Sequence, residues 1–189
     1  MDKASFIAFD IESGGVSSKT SLLTVDFIIL DDQLNILDEL ALKLKANDNE
    51  PYVIEPNGLE INKINIIEHD KTAITYGEGG QLLVKLLKRY SLPKTKLVPL
   101  GHNVAFDIRG ITTHLLGDKT WNQWVSYKIQ DTQIVARFLQ IKGLLPKDMS
   151  ISLSSLQKHF NIVGLQGVAH ESRYDTIATI EVYKRLLNL

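Results

Sequence analysis

Residues 5–10 read Ser-Phe-Ile-Ala-Phe-Asp, and the four positions from Phe6 to Phe9 are apolar without a break. A half-buried strand alternates apolar and polar side chains, whereas a continuous apolar run leaves no face for water. The segment therefore predicts a central strand covered on both sides, and the rest of the chain must supply the covering layers. With 189 residues, 44% of them apolar and 23% charged, the chain is long enough to fill such a core as one domain spanning 1–189.

A Gly- and Ser-rich loop from Ser13 to Thr20 follows, and residues 22–30 and 34–45 then read as two strands joined by the turn Asp31-Asp32-Gln33. Strands linked this tightly are antiparallel, so the first three strands form a meander. The stretch from Asn47 to Lys71 is polar and carries Pro51, Pro56 and Gly58, which predicts a loop with at most a short helix near Ile61 to Glu68. Leu82, Leu83, Leu86 and Leu87 fall at helical intervals within Gly79 to Tyr90, Pro93 ends that helix, and Lys96 to Leu100 is a short buried strand. Val104 to Leu116 is the next helix, Tyr127 to Gln130 the last strand, and helices are expected near Asp131 to Gln140, Ser152 to Phe160 and Ser172 to Leu189. The order predicts an α/β fold: a mixed sheet of five strands, the second antiparallel, between helices on both faces.

The chain has no cysteine, which removes disulfides and thiolate metal sites and leaves carboxylates and five histidines as strong side-chain ligands. Any metal held here is expected to be hard and oxygen-seeking, such as Mg²⁺ or Mn²⁺. No signal peptide is visible, and no stretch approaches the roughly 18 to 20 apolar residues of a membrane span, so a soluble cytoplasmic protein is expected. A net charge of −1 argues against binding a polyanion mainly by neutralising its phosphates. That average hides an asymmetry: residues 1–80 carry 6 Lys/Arg against 15 Asp/Glu, a balance of −9, and residues 81–189 carry 15 against 7, a balance of +8. Basic residues along one side of an acidic cleft and an ordinary mixed surface both fit these numbers.

Asp10 and Glu12 stand two residues apart at the end of the first strand. On an extended strand both side chains share a face, with Cα atoms about 6.6 Å apart. Carboxylates so placed repel unless a cation lies between them; alternatively, Glu12 belongs to the solvated loop and only Asp10 is constrained. Asp107 lies on the same helical stripe as Val104, Ile108, Ile111 and Leu115, the face its helix should bury. An ionised carboxylate there costs several kcal/mol unless it is paired or metal-bound. Pairing with Arg109 or Arg137, or stabilisation at the helix start, would also answer that cost. Asp175 repeats the pattern in the first turn of the last helix, on the face of Ala178, Thr179, Val182 and Leu186. His170 belongs to the preceding loop Gly167-Val168-Ala169-His170, and Ser172 is a candidate N-cap, so the imidazole either swings over the site of Asp175 or lies at the surface.

Together these strings resemble the three motifs of the DnaQ-like, or DEDDh, 3′→5′ exonucleases of the ribonuclease H-like superfamily. Phe6-Ile7-Ala8-Phe9-Asp10-Ile11-Glu12-Ser13-Gly14 is similar to the first motif, Gly101-His102-Asn103-Val104-Ala105-Phe106-Asp107 to the second, and His170-Glu171-Ser172-Arg173-Tyr174-Asp175 to the third. The resemblance runs from Ser5 to about Leu187. Ser13 stands where threonine is commoner and Ser172 where alanine is. The tyrosine-type branch would need its tyrosine at Glu171.

The resemblance implies a ribonuclease H-like three-layer domain that hydrolyses phosphodiester bonds of single-stranded DNA or other 3′ ends to nucleoside 5′-monophosphates. It implies two divalent ions, Mg²⁺ or Mn²⁺: Asp10, Glu12 and Asp175 hold the one that activates water, Asp10 is shared with the second, and Asp107 acts near it. His170 is the implied general base, a role suited to a group with an ordinary pKa near 6.5. Ile11, Ser13, Gly14 and Asn103 are the implied substrate contacts. An RNA-trimming exoribonuclease, a DNA-repair or proofreading exonuclease and a non-catalytic nucleic-acid-binding relative remain open, since no motif encodes a contact to the 2′ hydroxyl. Free-standing relatives are sometimes homodimers. Because the chain ends with its last helix, no tail for recruiting a polymerase is indicated. Asp131 is expected to cap a helix or support the site from outside the four main ligands. Trp121 and Trp124 fit core packing better than base stacking.

Overall fold

The computed structural model describes residues 3–47, 49–91 and 95–189. The apolar run is the centre of the sheet. Strand β1 (Phe6–Ser13) pairs antiparallel with β2 (Leu22–Leu30), and β2 pairs antiparallel with β3 (Ile36–Lys45), the expected meander. The β2–β3 turn is held by Asp31, whose Oδ1 accepts the N–H groups of Gln33 and Asn35, both at 2.8 Å. β5 (Val98–Gly101) lies parallel to β1 on its other side, and the two-residue β6 (Gln130–Asp131) is parallel to β5.

Among the described residues the sheet has six strands, in the order β4-β3-β2-β1-β5-β6, where five are expected from the sequence. The additional one, β4 (Ile74–Thr75), pairs in parallel with the end of β3 through Leu44 and Lys45. Two residues are too few to show alternation, which is why the sequence did not reveal it. The expected loop of residues 47–71 holds two short helices, α1 (Gly58–Asn62) and α2 (Ile66–Asp70). Lys63 separates them in a left-handed conformation (φ 55°), and Asn65 caps α2 by accepting the N–H groups of Ile67 and Glu68.

Helix α3 (Tyr76–Tyr90) starts three residues before the expected Gly79 because Thr75 and Glu78 form a capping box. The expected stop at Pro93 lies outside the described residues. Next come α4 (Val104–His114), α5 (Asp118–Trp124), α6 (Thr132–Ile141), α7 (Leu153–His159) and α8 (Ser172–Leu186). Helix α5 was not expected. Among the described residues, no helix is long and apolar enough to cross a membrane.

Odd-numbered residues of β1 and β2 face one helical layer: Ile7, Phe9, Ile11, Val25, Phe27 and Ile29 pack with Leu83 and Leu87 of α3, Val104 and Ile111 of α4 and Trp121 of α5. Trp121 is buried, edge-on to Phe9 with ring centres 5.7 Å apart, so it is a core residue. On the other face Ala8, Ile28 and Leu30 meet Ile180 and Tyr183 of α8. A second shell of Ala136, Leu139, Leu156, Val182 and Leu186 ties α6 and α7 to α8. The resulting three layers leave Asp10 and Glu12 on the α8 side at the carboxyl end of β1.

Candidate active site

At the carboxyl end of β1 the register shifts between Glu12 and Ser13, one residue before the strand ends. Asp10 stands opposite Asp26 and Glu12 opposite Thr24, so both acids share the face covered by α8. Glu12 is buried and belongs to the strand, not to a solvated loop. Asp107 reaches the same point from the first turn of α4. It is 4% exposed, and its Oδ1 accepts the N–H of Ile11 at 3.1 Å, between the two β1 acids. The arginines that might have paired with it are engaged elsewhere: Arg109 lies over the Phe106 ring at 5.5 Å and Arg137 donates to Gln140.

Asp175 comes from the first turn of α8 and is also buried. Its Oδ2 accepts the backbone N–H of His170 at 2.9 Å, which ties the histidine loop to the helix. His170 is exposed and left-handed (φ 69°). A ring nitrogen of His170 and one carboxylate oxygen each from Glu12 and Asp175 lie within 4.8 Å of one another. His170 thus lies at the surface and beside Asp175 at once. Ser172, however, is the first residue of α8 and not its N-cap; Glu171 holds that position and makes no side-chain cap bond.

Four carboxylates from three elements thus converge, and their acidities respond. Burial, then the charges of Asp107, Asp175 and Glu12, hold Asp10 well above the ordinary carboxyl range. Burial and the charges of Asp175 and Asp107 push Glu12 up to about 8, against a lowering hydrogen bond from Asn62. Burial pushes Asp107 up to about 8 despite the Ile11 N–H. Burial also raises Asp175, against the opposing effect of His170. A protein interior that gathers four acids this way favours their protonation unless cations neutralise them. The donor set of buried carboxylate oxygens with one imidazole at its edge fits hard divalent ions.

The surrounding loops are fixed in part by Asn62, Glu55 and Gly58, which the sequence did not single out as site residues. Asn62 donates through Nδ2 to the Ser13 carbonyl at 3.1 Å and is buried. Gly14 donates its N–H to the Ser21 carbonyl (2.8 Å), and its own carbonyl accepts from Glu55 N (2.7 Å). A Cβ at Gly14 would come within 2.5 Å of the Val53 carbonyl, and one at Gly58 would collide with the Gly14 carbonyl. Of the expected substrate contacts, the N–H groups of Ile11 and Gly14 are therefore used inside the chain. Ser13 is half-buried, with its hydroxyl donating to the Gly15 carbonyl at 2.6 Å. Asn103 is exposed, in a left-handed conformation (φ 59°) that starts α4.

Asp131 both caps a helix and supports the site. It caps α6 by accepting from Gln133 and Ile134 N–H, and it also accepts from Asn103 N (3.1 Å) and Val104 N (3.0 Å). One buried carboxylate thus satisfies the first N–H groups of two helices. Beside it, His102 pairs Nδ1 with the Thr132 hydroxyl at 2.8 Å, and burial lowers its pKa.

No family model and no curated protein matches the chain. Solved structures of similar fold exist. Exonuclease I of E. coli in complex with a 5cy-dT13 oligonucleotide superposes with a TM-score of 0.75 at 18% identity, over 100% of this chain and 43% of that one. The same protein with a dT13 oligonucleotide gives 0.74 at 19% identity, over 98% and 41%. Exonuclease I from Methylocaldum szegediense gives 0.70 at 19%, over 97% and 40%. The chain thus spans less than half the length of these proteins. At these identities what is shared is the fold, and it is the ribonuclease H-like fold that the three motifs led us to expect.

Proposed function

We propose that this chain is a metal-dependent 3′→5′ exonuclease of the DEDDh type that releases nucleoside 5′-monophosphates from single-stranded DNA. The observation that carries the reading is the gathering of Asp10, Glu12, Asp107 and Asp175 at the carboxyl end of β1, where each charge acts on its neighbours, with the His170 ring beside Glu12 and Asp175. Asp10, Glu12 and Asp175 are the residues to hold a first divalent ion, with Asp10 and Asp107 contributing to a second. Bound there, Mg²⁺ or Mn²⁺ supplies the Lewis acidity that an in-line displacement at phosphorus needs at its attacking and leaving oxygens.

The chain's own residues do the rest. His170, in its neutral form, takes a proton at a ring nitrogen from the attacking water as the new bond to phosphorus forms and the bond to the 3′ oxygen breaks. The Asp175 bond to the His170 N–H limits how far the imidazole can drift. The Ile11 N–H holds Asp107 next to the β1 acids, so the carboxylates need little reorganisation. Single-stranded DNA is favoured over RNA because the Exonuclease I structures that share the fold hold dT13 oligonucleotides.

The test compares DNA and RNA oligomers of one sequence, with free or phosphate-blocked 3′ ends, and identifies the released product by chromatography. The reading expects 5′-monophosphates, faster from DNA and absent from blocked ends. Faster release from RNA would make the enzyme an exoribonuclease, and internal cleavage of blocked strands would overturn the exonucleolytic reading.

A further inference from the structure

Among the described residues, one buried side-chain oxygen lacks a hydrogen-bond partner: Asp26 Oδ1, in a residue 1% exposed. Asp26 sits in the middle of β2, opposite Asp10 and on the α8 side of the sheet. A buried carboxylate oxygen without a donor is costly unless the group holds a proton or a cation lies near it. Burial, then the charge of Glu39, push the Asp26 carboxyl up to about 7, and the Arg173 guanidinium opposes them. That guanidinium forks onto Glu39 of β3, Nε to Oε1 at 2.6 Å and Nη2 to Oε2 at 3.1 Å. In the register Ala41 faces Asp26 and Glu39 faces Ile28, so Glu39 is the diagonal neighbour of Asp26 on the same face. Arg173 therefore grips the half-buried Glu39 and acts electrostatically on its buried neighbour Asp26 on the adjacent strand.

Arg173 is also the second residue of α8, three after His170 and two before Asp175. The start of α8 has no side-chain cap. The loop before it turns through left-handed positions at Gly164, Gly167 and His170 and is largely exposed. Its local ties, His170 N–H to Asp175 and Val168 N–H to Glu171, run to α8 or to its cap residue. Where the loop sits relative to β1 is thus decided by where α8 begins.

We infer that Arg173, with Glu39 and Asp26, is a positioning clamp that fixes the first turn of α8, and with it His170 and Asp175, against the strand carrying Asp10 and Glu12. The kinetic consequence rests on the proposed hydrolysis. The Arg173–Glu39 pair is partly exposed, at 49% and 30% for the two side chains, so it contributes little to global stability while its fork geometry sets orientation.

The test uses the full chain with Arg173→Gln, Glu39→Gln and the exchanged pair Glu39→Arg/Arg173→Glu. It reads kcat and KM on single-stranded DNA, the melting temperature, and the imidazole NMR signals of His170 assigned with His170→Ala. Arg173→Gln should lower kcat roughly 10- to 100-fold, Glu39→Gln less, with KM and melting nearly unchanged and the His170 signals shifted and broadened. The exchanged pair keeps a cation beside Asp26 and should recover most of kcat. Wild-type kcat and His170 signals in both single variants, or no recovery in the exchanged pair, overturns the clamp. If the wild type hydrolyses nothing, the proposed function fails instead, and the His170 signals alone decide the clamp: altered in Arg173→Gln they support it, unchanged they overturn it.

Discussion

Replacing Asp107 by Asn should stabilise the metal-free protein at neutral pH while impairing it as an enzyme. Burial moves the Asp107 carboxyl from its ordinary 3.8 to about 8. Between these values the unfolded chain has released a proton that the native state retains, so the native state binds more protons and its stability falls as pH rises. Below roughly pH 4 the loss is absent, and above roughly pH 8 it is complete. Each tenfold change in acidity corresponds to about 1.4 kcal/mol, so a lone group shifted this far would cost roughly 4 kcal/mol at pH 7. Water entry and side-chain relaxation reduce that figure, and the expected gain is ~2–4 kcal/mol. The Asn side chain can still accept the Ile11 N–H through its oxygen and can donate its amide to the neighbouring carboxylates. Urea unfolding in EDTA at pH 5 and pH 8, repeated with Mg²⁺, measures the effect. Wild type should weaken from pH 5 to pH 8 in EDTA and recover with Mg²⁺, whereas the variant should weaken less and gain less from the ion. Equal stability of the two proteins at both pH values in EDTA would refute the reasoning.

Three further perturbations test other parts of the site. His170→Ala should lower kcat by about 10²- to 10⁴-fold while Mn²⁺ binding, followed by calorimetry, stays within a few-fold; loss of the metal with the imidazole would make His170 a ligand and not a base. Asp131→Ala removes the acceptor for four backbone N–H groups at the starts of α4 and α6. It should destabilise by ~2–4 kcal/mol in urea, and a change under about 0.5 kcal/mol would show that water replaces the carboxylate. Gly58→Ala places a methyl against the Gly14 carbonyl. It should cost ~1–3 kcal/mol and lower activity by displacing the loop after Glu12, an outcome denied by wild-type melting and turnover.

Three of the four carboxylates stand out in the sequence because each breaks a local pattern, whereas Glu12 is marked only by its spacing from Asp10 and by the family resemblance. Asp10 interrupts an apolar run, and Asp107 and Asp175 sit on helical faces that should be apolar. Periodicity also gave the central strand, the meander and the main helices. What it left hidden depends on partners far away in the chain. Asp131 looks like an ordinary N-cap until α4 is brought beside it, and Asn62 looks like a loop residue until its amide meets the Ser13 carbonyl. The close approach of Gly58 to Gly14 joins two loops with no shared pattern. Asp26 is different: an acid within Leu22–Leu30 was as visible as Asp107, but only the register with Asp10 and the neighbouring Arg173–Glu39 fork give it a meaning. Strand β4 and helix α5 were missed because two residues and seven residues carry too little periodicity to read.

The central claim is that Asp10, Glu12, Asp107 and Asp175 use divalent ions to remove nucleotides from a 3′ end. The most direct test follows 5′-labelled single-stranded DNA with Mg²⁺, Mn²⁺ or EDTA, using wild type and Asp10→Ala. The account predicts a ladder shortening from the 3′ end with either ion, none in EDTA and none with the variant. Shortening that persists in EDTA, or that survives Asp10→Ala, would contradict it.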